Sequence, residues 1–187
     1  DGILREGPAF EISRRLNDVD PAVADRFVRD ALDRAAARGV TGIVDLDMAW
    51  NADAWARRLD AGFDSLRVSF GVYPDLLDRA IAVGLATGDA VDPLGLVRMG
   101  SLKVITDGSL GTRTAACSHP YPDDPHNTGV LTVAPDELVE LMIRATGAGL
   151  SCAIHAIGDV ANSHALDAFA LTGATGTIEH AQLVAHA

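Results

Sequence analysis

Five short apolar runs, separated by stretches of helical period, constrain this chain more than any other feature of it. The runs are 40–47, 66–73, 96–106, 150–156 and 176–181. Each is rich in aliphatic residues and reads as a buried strand. Helical patterns fill the gaps. Asp20 is placed to cap a helix with Pro21 at its first position and Gly39 at its end. Within it Val23, Phe27, Ala31, Leu32 and Ala35 recur at helical spacing. Asn51 is placed to cap a second helix, with Trp55 and Leu59 inside and a stop near Gly62. Residues 76–87 predict a third. Pro135 opens a fourth, with Leu138, Leu141, Met142 and Ala145 on one face, and 159–171 predict a fifth. Strands alternating with helices imply an α/β domain with a parallel sheet and right-handed crossovers. Such a set fits an open doubly wound sheet or a section of an eight-stranded barrel, and periodicity does not choose between them. The 187 residues read as one domain, 1–187.

Composition excludes several classes of function. The 15 basic and 26 acidic side chains leave a net charge of -11. A surface that acidic repels phosphate backbones and anionic lipid, so neither nucleic acid nor a membrane surface is expected as a partner. No apolar run reaches the ~18 residues needed to span a bilayer. The two cysteines, Cys117 and Cys152, are too few for a disulfide framework, which points to the cytoplasm. Neither a dinucleotide-binding glycine fingerprint nor a phosphate-binding loop motif occurs. The chain starts at Asp1 rather than Met, which predicts further sequence upstream.

Three residues carry the candidate chemistry. Lys103, His155 and His180 each lie near the C-terminal end of their own predicted strand. Parallel strands joined by helices bring those ends to one face, so three distant residues become one possible site. Neutral imidazoles are good ligands for zinc and related divalent ions. A lysine buried at such a site loses its charge preference. Its amine can then take up carbon dioxide as a carbamate, whose two oxygens can bridge metals ~3.5–4 Å apart. Ions held so would activate a water and polarise a carbonyl. Singly, each residue fits a structural role as well; together, at one end of consecutive strands, they point to a site. The stretch 108–132 adjoins Lys103, holds several glycines and prolines and shows no helical period. Loops of that length are usually lids or binding loops.

Other polar residues carry less. Asp107 and Arg113 could contact a substrate or brace the loop, with bracing the favoured role. Asp159 fits an N-cap. Glu179 is expected on the side of its strand opposite His180, as a structural partner. His119 and His126 read as solvated loop residues, His164 as helix surface and His186 as tail. Asp45 and Asp47 read as loop caps. Cys152 reads as packing and Cys117 as a loop residue.

At these residues the chain resembles the amidohydrolase superfamily, and within it the third amidohydrolase subfamily, which includes N-substituted formamide deformylases. The segments that carry the resemblance are 2–6, 39–45, 102–115, 120–124, 155–159 and 178–182. The resemblance implies a partial (β/α)8 TIM barrel covering roughly strands two to six. It implies that Lys103 is a carbamylated bridging ligand, and that His155 and His180 are metal ligands. The implied reaction is hydrolysis of a carbon–nitrogen bond other than a peptide bond, in an amide or formamide substrate. The implied cofactor is a divalent metal, zinc first among the candidates. The family's His-x-His pair on the first strand and its aspartate on the eighth have no counterpart here. The chain is therefore expected to be an internal piece, inactive alone and weak or lacking in metal. Its open barrel faces predict homo-oligomers. Two other readings compete: a barrel in which Lys103 acts as a base or Schiff-base amine, and a non-catalytic α/β domain that binds a ligand or partner.

Overall fold

The computed structural model describes residues 2, 4, 7–16 and 19–184. Parts of the segment 2–6 and His186 lie outside the described residues. Among the described residues one sheet contains five strands: β1 (Gly42–Asp45), β2 (Arg67–Val72), β3 (Val97–Ile105), β4 (Cys152–Ala156) and β5 (Gly176–His180). They lie side by side in chain order, and every neighbouring pair is parallel. A doubly wound sheet would reverse its order at a switch point. This sheet never does, and it curls as a half-barrel. The ambiguity left by periodicity is resolved by strand order.

The helices are α1 (Gly7–Leu16), α2 (Pro21–Ala36), α3 (Asn51–Asp60), α4 (Leu77–Ala82), α5 (Pro135–Gly147) and α6 (Asp159–Thr172). The core lies between the sheet and these helices. Phe70, Val72, Leu102, Val104, Ile154 and Ala156 point into it from the strands and are fully buried. Leu138, Leu141, Met142 and Ala145 meet them from α5, on the face that helical spacing predicted. Among the described residues no helix is long and apolar enough to cross a membrane.

Local chemistry explains where the elements start and stop. Asp20 Oδ1 accepts the Ala22 N–H at 2.8 Å, capping α2 ahead of Pro21. The α2 stripe is rotated from the expected one: Leu32 is buried, but Phe27 is 71% exposed, and Val28 packs inward instead. Asn51 does not cap α3. It is the helix's first residue, buried, with its amide donating to the Asp47 carbonyl at 2.9 Å. The third predicted helix is shorter than 76–87. A single 3-10 turn at Pro74–Leu76 leads into α4, which ends where Gly84 takes a φ of 72°. The helix α1 has no counterpart in the pattern reading.

Candidate functional site

Strand register assembles the site. Lys103 pairs with Ala153, and Ala153 with Thr177; Ile105 pairs with His155, and His155 with Glu179. Registered neighbours in a parallel sheet project to the same face. The first three residues therefore form one row, and Ile105, His155 and Glu179 form the next, on the face away from the helices. His180 pairs with Ala156, whose side chain is in the core. Strict alternation would send His180 the same way. Instead the strand ends there in left-handed backbone, with φ of 73° at His180 and 44° at Ala181. The His180 ring thereby meets His155 edge to face, with centroids 4.6 Å apart. A β-strand pattern carries no signal for that turn.

The electrostatics favour neutral nitrogen donors. Lys103 is 6% exposed. Burial pulls its ammonium below the ordinary lysine range, opposed in part by the Glu179 carboxylate. Burial, then the charges of His155 and Lys103, hold the His180 imidazole below its usual range. Glu179 thus belongs to the site's surroundings. It shares the row of His155 and acts on Lys103, and its Oε1 accepts the Thr177 hydroxyl at 2.6 Å. The expected separation of Glu179 from His180 ignored the left-handed strand end, which brings His180 to the face Glu179 already occupies.

His155 is held from several sides. Its carbonyl accepts the Thr106 N–H at 3.1 Å and the Thr106 hydroxyl at 2.6 Å. Its Nε2 faces the Gly108 carbonyl at 3.3 Å and Asp107 Oδ1 at 3.4 Å. Two oxygen acceptors at Nε2 place the ring proton there and leave the Nδ1 lone pair free.

Asp107 has no exposed surface. Its carboxylate accepts the N–H groups of Ile157 at 3.0 Å, Gly158 at 2.8 Å and Ala116 at 3.0 Å. Burial alone would raise its pKa, but the His155 contact and these amides outweigh that and hold it low. Arg113 lies in the loop with φ of 59° and pairs with Asp123 at 3.1 Å, away from the histidine pair. Asp45 accepts the Trp55 indole N–H at 2.7 Å and the Asp47 N–H at 3.0 Å, as a loop cap does. Cys152 is fully buried in β4, and burial pushes its thiol up to about 11. His119 and His126 are exposed, and His164 is half-buried on α6.

One residue of structural weight has a role other than the one the sequence implied, and another escaped the sequence reading. Asp159 is not the cap of α6, since Gly158 holds that position; its carboxylate accepts the N–H and the hydroxyl of Ser118, tying the long loop to the helix start. Asn162, buried on α6, aims its amide at the carbonyls of Ala156, Ile157, Gly158 and Leu183, and so anchors the segment after β5. A polar amide on the apolar side of a helix was the available signal. The loop 108–132 is irregular as expected, closed at its base by a bridge between Asp107 and Leu131. A cavity of 530 Å³ opens where that loop leaves β3, walled by Phe10, Ile105, Val133 and His155.

Among the described residues, no three of His, Cys, Asp and Glu are grouped to hold a metal ion. The donor set that fits one is two touching imidazoles and an amine whose charged form burial disfavours.

The model of a family described as "Amidohydrolase family" matches residues 1–187. The chain is 30% identical over 158 residues to the putative amidohydrolase YtcJ of Bacillus subtilis (strain 168), covering 79% of this chain and 29% of that protein. It is 30% identical over 179 residues to the protein LONG AFTER FAR-RED 3 of Arabidopsis thaliana, covering 84% of this chain and 30% of that one. Its fold is similar to crystal structures of uncharacterized metal-dependent hydrolases from Pyrococcus furiosus and Pyrococcus horikoshii OT3. The TM-scores are 0.83 and 0.86 at 34% and 33% identity, covering 98% of this chain and 39% and 38% of those chains. The chain spans less than a third of the curated relatives' length.

Proposed function

This chain belongs to the amidohydrolase family, and we propose that it supplies part of the metal site of a hydrolase acting on carbon–nitrogen bonds other than peptide bonds. The observation that carries this reading is the meeting of His155 and His180 at one end of the sheet, with the Lys103 amine buried near them. Formamides and related amides, as in the N-substituted formamide deformylases, are the substrate class.

His155, through Nδ1, and His180 would hold a divalent ion, with zinc the best match to nitrogen donors. Such an ion supplies Lewis acidity and lowers the pKa of a bound water. Lys103 joins as its carbamate. The neutral amine nitrogen bonds to the carbon of carbon dioxide and loses a proton, so an amine becomes an anionic two-oxygen ligand. Burial of Lys103 favours the neutral amine that this step requires. The Glu179 carboxylate opposes this step, since it favours the ammonium form of Lys103, and Asp107 keeps the proton of His155 on Nε2.

With two imidazoles and one lysine as its donors, the 187-residue chain binds zinc weakly and turns over negligibly by itself. Zinc titration followed by nitrogen-15 spectra of the histidine side chains tests the assignment. Shifts at His155 and His180, with affinity raised by added bicarbonate and not in Lys103→Met, support it. Zinc that leaves both rings unmoved ends it. A stoichiometric zinc site at those rings also separates this reading from a metal-free binding domain.

A further inference from the structure

The loop 108–132 and the stretch 155–158, which carries the ring of His155 and the turn between β4 and α6, converge on one carboxylate. Asp107 Oδ2 accepts the N–H of Ala116 in the loop at 3.0 Å and that of Gly158 in the turn at 2.8 Å. Its Oδ1 accepts the Ile157 N–H at 3.0 Å and faces His155 Nε2 at 3.4 Å. The residue is wholly buried, so water cannot replace any of these partners.

The fit around it is close. Gly158 lies so near the Ala116 carbonyl that a Cβ at 158 would overlap it. Ser118 and Asp159 staple the same two segments a little further out. At the loop's far end, Thr132 returns to the strand by donating its N–H to the Thr106 carbonyl at 2.8 Å and its hydroxyl to the Ile105 carbonyl at 2.7 Å.

We propose that Asp107 is a positioning residue that locks the long loop and the His155 ring into one unit, so that release of the loop also frees the imidazole to change its orientation and tautomer. The physical reason is stoichiometric. A carboxylate has two oxygens, and here they accept three backbone amides while Oδ1 also lies 3.4 Å from His155 Nε2, whose hydrogen bond goes to the Gly108 carbonyl. Moving the loop takes Ala116 and Gly108 away together, which removes one partner from Asp107 and one from His155. The significance for metal binding rests on the proposed function; the coupling itself is a property of the chain without metal.

The test uses the full chain, free of metal, at about pH 8.5, above the ordinary imidazole range. Nitrogen-15 spectra of the histidine side chains are recorded, with His155 identified by its loss in His155→Gln. The expected result is a single Nε2–H tautomer for His155. In Asp107→Asn the tautomers mix, and the amides of Ala116, Ile157 and Gly158 exchange with solvent together, faster by roughly tenfold or more. Amides of Leu102 and Ile154 keep their protection. An Nδ1–H or mixed tautomer in the parent chain overturns the proposal, and that measurement needs no variant to fold. Faster exchange in Asp107→Asn with His155 unmoved also overturns it, because a merely structural carboxylate would behave that way. None of these readouts involves metal or turnover. Failure of zinc to reach His155 would therefore end the proposed function and leave this coupling intact.

Discussion

His155 and His180 touch edge to face at 4.6 Å although they are not registered neighbours: His155 pairs with Glu179, and His180 with Ala156. The contact exists because β5 ends on a non-glycine residue in left-handed backbone. Such a conformation costs a residue with a Cβ of order 1 kcal/mol. The Ala181 N–H to Ala156 carbonyl bond at 3.1 Å and the Leu183 N–H to Ile157 carbonyl bond at 2.9 Å hold the chain in it. The amide of Asn162 braces the same segment through Leu183.

Lys103 is the residue whose removal separates function from stability. Its amine is buried and its charge disfavoured. Lys103→Met keeps the stem's packing and removes the desolvation cost. Thermal unfolding should show stability unchanged or raised by about 1 kcal/mol, while calorimetry shows zinc binding reduced. A loss above about 2 kcal/mol would mean the ammonium itself holds the fold.

Gly158 is required by close approach, since the Ala116 carbonyl occupies the space a side chain would take. Gly158→Ala should cost about 3 kcal/mol and undock the loop 108–132. Limited proteolysis should then cut within 108–132 while the α5 segment stays resistant. Unchanged unfolding and cleavage would show that the loop is not seated on this turn.

Asp92 gives the pH dependence. Burial would raise its pKa, but the N–H groups of Val97 at 2.7 Å, Leu96 at 3.3 Å and Leu94 at 2.8 Å outweigh that and lower it. A carboxyl depressed on folding stabilises fully above its unfolded value of about 3.9. That stability is lost as pH falls through the lower folded value. Asp92→Asn should be less stable by about 1–3 kcal/mol at neutral pH, and the gap should close as the solution is acidified below the unfolded value. Denaturant midpoints measured across that range decide it; a gap independent of pH would contradict the assignment.

Self-association is expected of the 187-residue chain by itself. Among the described residues the sheet's outer strands are β1 and β5, each paired with a strand on one side. Val44 on β1 is 69% exposed. The open face carries Ser69, Ser101, Lys103, Ser151 and Glu179 beside the apolar Val44 and Ile105, so edge pairing and apolar burial are both expected to contribute. Sedimentation at micromolar concentration should show dimers or larger species. A single monomeric boundary would rule this out.

The sequence by itself determined the element types and the face of the sheet on which chemistry gathers. Alternating apolar runs and helical periods suffice for that, because a strand–helix–strand unit has one handedness and puts every strand's C-terminal end on the same side. That is why Lys103, His155 and His180 could be grouped before any coordinates, and why the start of α5 at Pro135 and its buried face could be read. Three matters needed the tertiary structure. Strand order chose a barrel section over a doubly wound sheet, since hydrophobic period is the same in both. The left-handed end of β5 set where His180 points, and with it the role of Glu179, because backbone strain is supported by distant hydrogen bonds that no local pattern encodes. The partners of Asp107 also needed the fold: Ala116, Ile157 and Gly158 lie up to fifty-one residues away and meet it only when the chain is folded.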